Sequence, residues 1–274
     1  MAYIYRYDNG HFEQFDKPVV REQPLTIFVN GMEIATFLCT PEKLDYLTVG
    51  FLAFEGLINS PDEIRELDVD AENGVVDVVL TTSVVKPTRR VFTSGCGMGL
   101  TFTLRISHYA PLPDDLRLAP EDIFPLMQQM FDGAAMYNAS RGIHAAALSD
   151  TQRVLLLAED VGRHNALDKI LGEALLRGIP TAGRLLLTSG RISSEMLRKG
   201  AHMGTPFLVS RTSPTTLSIE AAKRLGITLI GYVRRQSFNV YTHPERLLYR
   251  HPVAPVAVET VAALPESPAV LHTA

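Results

Sequence analysis

The chain has 274 residues, 46% of them hydrophobic, with a formal net charge of −4 and a pI of about 6.1. That length allows one large domain or two smaller ones. The acidic balance argues against broad nucleic-acid binding but leaves room for a local basic pocket. The N-terminus has no secretory pattern, no run approaches the length of a membrane helix, and two cysteines make no disulfide framework. These features predict a soluble cytoplasmic protein with reduced thiols and no membrane contact.

Residues 1–24 read as a polar, strand-like arm. Leu25 to Val29 and Met32 to Cys39 flank Asn30-Gly31, a strong hairpin signal because both turn residues tolerate positive φ. Cys39 reads as a buried structural thiol. Thr40-Pro41 reads as a helix cap and first helical residue. The stripe Leu44, Leu47, Phe51, Phe54 follows, and Gly56 stops it. Ser60-Pro61-Asp62-Glu63 has the form of a capping box opening a shorter helix. A second hairpin is predicted from Leu67 to Val69 and Val75 to Leu80 around Asn73-Gly74.

Thr93-Ser94-Gly95-Cys96-Gly97-Met98-Gly99 comes next, with Lys86, Arg89 and Arg90 upstream. Glycines allow a mobile or sharply bent segment, and a positive field favours thiolate. These residues fit either a reactive thiol on a moving loop or a small apolar thiol in a tight turn. Prolines and paired acids in 106–119 read as a linker. It separates an N-terminal α+β domain (1–105) from an α/β domain (120–251). A loosely ordered tail (252–274) follows.

The second domain opens with a helix at Pro120, its face lined by Ile123, Leu126, Met127, Met130, Phe131 and Ala134. Strands and helices then alternate: strands at 143–148, 153–158, 184–188, 207–210 and 227–232, and helices after 162, 193 and 215. This order predicts an α/β sandwich with a mainly parallel sheet.

Ligands of such sheets sit outside the carboxyl ends of the strands. Four polar clusters are predicted there: Glu159 to Lys169, Thr188 to Ser193, Ser210 to Pro214 and Gly231 to Tyr241. Together they read as a pocket for a large anionic ligand. Two arginines and aromatics in the fourth suit a phosphate and a stacked base or pterin. No Walker or Rossmann glycine pattern is present. His144 lacks the glutamate and later cysteines of a zinc deaminase, so no metal site is predicted.

Several runs are similar to the FdhD family of formate dehydrogenase accessory sulfurtransferases. They are Thr48-Val49-Gly50-Phe51-Leu52, Ser94-Gly95-Cys96-Gly97, Gly142 to Leu148, Gly162-Arg163-His164-Asn165-Ala166-Leu167-Asp168-Lys169, Ser189 to Ser193 and Phe238 to Tyr241. The resemblance spans about 40–246. It implies a cytidine-deaminase-like α/β/α sandwich with a smaller hairpin-rich N-terminal domain, and a homodimer. It also implies a sulfurtransferase that takes persulfide sulfur from a cysteine desulfurase onto Cys96. The sulfur passes to the molybdenum cofactor of formate dehydrogenase, bis-molybdopterin guanine dinucleotide. The cofactor-binding stretch maps onto Tyr232, Val233, Arg234, Arg235, Gln236 and Ser237.

Some family members carry Cys-x-x-Cys in the loop, whereas Gly99 occupies the second position here. Any sulfur chemistry then falls to Cys96 alone. His164, Asn165 and Lys169 are expected to line or shape the pocket, although Asp168 and Lys169 also fit a helix-surface pair. The competing readings are a cofactor-binding chaperone without chemistry and a nucleotide-processing enzyme of the deaminase fold.

Overall fold

The computed structural model describes residues 2–17, 19–84, 91–92, 100–101, 109–113 and 115–248. The polar arm contains a hairpin. Strands β1 (Ala2–Asp8) and β2 (His11–Lys17) pair antiparallel around Asn9-Gly10, both at positive φ. Charged residues between its aromatics hide the alternation that marks the next two hairpins.

Those hairpins form as predicted and join into one sheet. They comprise β3 (Gln23–Val29) with β4 (Met32–Cys39), and β5 (Ile64–Asp70) with β6 (Val75–Leu80). The order is β4-β3-β6-β5, with β3 and β6 parallel at the seam. Helix α1 (Leu44–Phe54) follows β4, and its predicted stripe is buried. Its cap position is Lys43 in a left-handed conformation, not Thr40. The Thr40 backbone and hydroxyl are taken by Asp160 and Val161 far along the chain. The Ser60 capping box does form, but it opens only a three-residue 3-10 turn, Pro61–Glu63.

Short strands β7 (Val91–Phe92) and β8 (Leu100–Thr101) pair antiparallel. The larger sheet contains β9 (His144–Ser149), β10 (Val154–Asp160), β11 (Leu185–Thr188), β12 (Phe207–Ser210), β13 (Thr228–Gly231) and β14 (Asn239–Val240). Its order is β10-β9-β11-β12-β13-β14. The expectation of a mainly parallel sheet does not hold. Only β11–β12 and β12–β13 pair parallel; the other three pairings are antiparallel. The turn between β9 and β10 is too short for the crossover that parallel neighbours require. Because β9 opposes both β10 and β11, strands β10 to β13 still run the same way. Their carboxyl ends share one sheet edge.

Helices cover both faces of this sheet. Ile123, Leu126, Met127 and Met130 of α2 (Ile123–Gly133) pack on Ala147, Leu185, Leu187, Phe207, Val209 and Ile230. The short helix α3 (Ala135–Ser140) continues from α2. Sheet residues of opposite parity, including Ala146, Leu148, Leu186, Leu208 and Leu229, meet the other core. That core contains α4 (Arg163–Leu176), α5 (Ser194–His202) and α6 (Thr216–Leu225). The period of two in the strands is therefore read by two helical layers. Helix α1 lies between α4 and the four-stranded sheet, so a single apolar cluster runs from Ile27 through Leu47 to Leu167. Within the predicted linker, the Leu112 amide donates to Leu225 and Leu118 bridges Leu247. Among the described residues, no helix is long and apolar enough to cross a membrane.

Candidate functional site

The carboxyl edge of the six-stranded sheet is built on buried charge. Asp160, at the end of β10, stands 2.7 Å from the Lys169 ammonium on α4, and neither side chain is exposed. Lys169 also donates to the carbonyls of Thr40 and Glu159 at 3.1 Å each. Asp160 accepts from the amides of Thr40 and Gly162 and from the Asn165 side chain. These bonds satisfy both charges, the condition under which such a pair holds a structure together. Glu159 points elsewhere and accepts the amides of Met136 and Tyr137 at the start of α3.

A second pair lies deeper. Asp168 is 2.5 Å from Lys199 on α5. Burial raises the Asp168 carboxyl to about 6, with Lys199 pulling in the other direction. Arg198 beside it pairs with Glu55 at 3.3 Å and donates to the Phe54 carbonyl, tying α5 to α1. Asp168 and Lys169 are thus no surface pair. Each is buried and bonded to a different element.

Histidines line the same edge. His164 is buried, and Glu195 stands 3.4 Å from its Nδ1 without hydrogen-bond alignment. Burial, with Lys199 and Arg163 nearby, holds His164 well below the ordinary histidine range. His144 is lowered by burial and by Arg163, and Gly190 leaves room for its ring. Both are neutral at pH 7 and suited to hydrogen bonding. Among the described residues, no group of three or more His, Cys, Asp or Glu is placed to hold a metal ion.

A concavity of about 630 Å³ lies on the α2 side of this edge. That is the size of a small-molecule or cofactor site. Arg211, just after β12, and Val233, Arg234 and Arg235, after β13, form one wall. Phe124, Phe131 and Tyr137 form another, and Arg141 and Asp132 complete the rim. The strand-end loops lock each other. Arg211 donates to the Val233 carbonyl at 2.8 Å, and Arg234 donates to the Arg211 carbonyl at 2.5 Å. Cations also lie over rings: Arg211 is 6.0 Å from the Phe131 centroid and Arg141 is 5.1 Å from that of Tyr137. Arg141 and Tyr232 both hold left-handed backbone conformations, uncommon for residues with a side chain. Four guanidinium groups thus stand beside aromatic walls, a combination whose chemistry suits phosphates and planar rings.

Residues 20–248 match the family model described as FdhD/NarQ family. The chain belongs to the FdhD/NarQ family. It is 41% identical over 250 residues to the sulfur carrier protein FdhD of Bacillus subtilis, covering 89% of this chain and 95% of the relative. The sulfur carrier protein FdhD of Staphylococcus haemolyticus is 39% identical with the same coverages. A solved structure from Desulfotalea psychrophila, described as a formate dehydrogenase accessory protein, superposes with a TM-score of 0.76 at 31% identity. That match covers 90% of this chain and 98% of the other.

In this FdhD/NarQ chain the predicted site residues fall in different places. Val233, Arg234 and Arg235 line the cavity, whereas Tyr232, Gln236 and Ser237 of the same stretch do not contribute to its described lining. The four strand-end clusters have different described partners. Those after β12 and β13 reach the cavity, while Asn165 and Lys169 brace the Asp160 network. Cys96 lies outside the described residues, between β7 and β8 in the chain. Cys39 is fully buried, and burial beside Asp160 pushes its thiol up to about 12, so it is a poor nucleophile. Sequence reasoning missed Phe124, Asp132, Tyr137 and Arg141. They stand on α2, α3 and the turn after it, where only tertiary packing brings them to the strand ends.

Proposed function

We propose that this chain is a sulfur carrier, a sulfurtransferase serving formate dehydrogenase. Cys96 is the carrier. Its thiolate attacks the outer sulfur of a persulfide on a cysteine desulfurase; a new S–S bond forms on Cys96 and the desulfurase cysteine leaves as a thiolate. The recipient is the molybdenum cofactor bis-molybdopterin guanine dinucleotide, here cargo rather than a resident group. It receives the sulfur before insertion into formate dehydrogenase.

One observation carries the cofactor half of this reading: Arg141, Arg211, Arg234 and Arg235 converge beside Phe124, Phe131 and Tyr137. The guanidiniums suit phosphates and the rings suit a purine face. The cavity takes one nucleotide end, with the rest of the cofactor running along the strand ends past Tyr232, Gln236 and Ser237. The names of the relatives support the sulfur half. The reading places the protein in the cytoplasm as a homodimer. It also assigns the layered α/β/α domain to the cytidine-deaminase type, adapted to carriage without a zinc site.

The test is complementation. In cells lacking their own carrier, the wild-type chain restores formate dehydrogenase activity and Cys96→Ala does not. Full activation by Cys96→Ala removes Cys96 from the role.

A further inference from the structure

The arginine-rich cavity contains one acid. Asp132 is the sole carboxylate among its described lining residues, in a site whose other charges suit an anionic ligand. It does not balance the arginines. Its Oδ1 accepts from Gln128 Nε2 at 2.6 Å, and among the described contacts no ion pair joins it to Arg141, Arg211, Arg234 or Arg235. Nor does it help its helix. Asp132 lies in the last turn of α2, where the carbonyl end of the helix dipole disfavours negative charge, and that turn has no basic residue. A carboxylate that local structure does not favour, in the wall of a cavity, points to donors on the ligand. Phe124, Gln128 and Asp132 are spaced by four, so one side of α2 carries a ring, an amide and a carboxylate in a row. Gln128 and Asp132 are exposed, and Phe124 packs on Phe238 at 5.6 Å.

We propose that Asp132, held by Gln128, is the residue that selects guanine in this cavity. Guanine sets two donors side by side on its edge, N1–H and the 2-amino group. An ionised carboxylate only accepts, so it matches both. Adenine sets the N1 lone pair at the same place, and a carboxylate opposite it leaves two acceptors in contact. Hypoxanthine keeps N1–H and lacks the amino donor, so it falls between the two. The Gln128 bond holds the carboxylate in place, as a two-donor contact requires. The aromatic rings and guanidinium groups accept a purine face and phosphates whichever purine is present. Asp132 therefore supplies discrimination, and the arginines supply affinity.

Asp132 has this role only if the cavity holds a nucleotide end, as proposed above, and the test separates the two. Calorimetry on the full chain uses guanosine, inosine, adenosine and xanthosine diphosphates. The wild-type chain binds the guanosine form at least about tenfold more tightly than the adenosine form, with the inosine form between them. Asp132→Asn keeps the size of the side chain and replaces one acceptor with an amide donor, which meets the 2-carbonyl of xanthine. It weakens the guanosine form at least about tenfold and strengthens the xanthosine form by a similar factor, a gain that misfolding cannot produce. Gln128→Met removes no charge and narrows the guanosine-to-adenosine ratio about threefold. An unchanged ratio in that variant overturns the part given to Gln128. Equal wild-type binding of the guanosine and adenosine forms overturns the role of Asp132 and leaves the cavity a nucleotide site. So does an Asp132→Asn chain that keeps its guanosine selectivity and gains nothing for xanthosine. A wild-type chain that binds none of the four overturns the nucleotide reading and the role of Asp132 together.

Discussion

Gly50 on α1 and Gly172 on α4 face each other so closely that a methyl group on either would strike the other helix's backbone. A Cβ on Gly50 would lie 1.8 Å from the Asp168 carbonyl oxygen, and one on Gly172 would lie 1.8 Å from that of Tyr46. This contact presses the N-terminal layer onto the helix that carries Asp168 and Lys169. Gly172→Ala should therefore cost about 3 kcal/mol, the upper end for overpacking, because backbone cannot step aside as a side chain does. Urea unfolding measures it. A loss below about 1 kcal/mol would show that the helices separate easily.

The Asp160–Lys169 pair supplies a second stability prediction. Lys169→Met leaves a buried carboxylate without its cation and should cost about 3–5 kcal/mol. Replacing both with apolar residues of similar size should cost less than Lys169→Met alone. If Lys169→Met instead spares stability and removes only sulfur transfer, Lys169 belongs to the chemistry and not to the frame.

The buried histidines set a pH dependence. His144, His164 and His202 are all held below the ordinary range of about 6.5, each chiefly by burial. As pH falls through 6.5, the unfolded chain takes up protons that the folded chain refuses, so stability falls. Asp168 has the opposite sign. Its folded value of about 6 lies above the usual 3.8, so its contribution grows as pH falls between those values. His202→Gln should flatten the loss between pH 7 and 5.5, and Asp168→Asn should steepen it below pH 6. Denaturation midpoints across pH check both signs.

Much of this architecture can be read directly from residues. Asn30-Gly31 marks its hairpin because the flanking runs are β-branched and apolar. The strand ends at Thr188 and Ser210 follow from short apolar runs closed by polar residues. Other features depend on partners distant in sequence. Thr40 is a good cap residue locally, yet Asp160 and Val161 capture it from 120 and 121 positions away. Asp168 and Lys169 look like a surface pair because helical period cannot say that α1 and α5 cover both sides. Arg141 reaches the cavity through the left-handed turn that ends α3, a placement no spacing rule supplies.

The cavity predicts a binding pattern. Arg211→Ala and Arg235→Ala should each weaken guanosine diphosphate binding about tenfold, with a shallower salt dependence, because each removes a charge facing phosphate. Arg211→Ala also removes the shorter of two donors to the Val233 carbonyl and leaves that carbonyl to Arg234, so it should weaken binding more. Calorimetry at two salt concentrations gives both quantities. Unchanged affinity in both variants would move the nucleotide end to another surface.

The central claim is that Cys96 alone carries the sulfur. The direct measurement is intact-protein mass spectrometry, with peptide mapping, after incubation with a cysteine desulfurase and free cysteine. One added sulfur is expected on Cys96, removed by reductant, with none on Cys39 and none anywhere in Cys96→Ala. An unmodified wild-type chain that still binds the cofactor would contradict it and leave a delivery chaperone in its place.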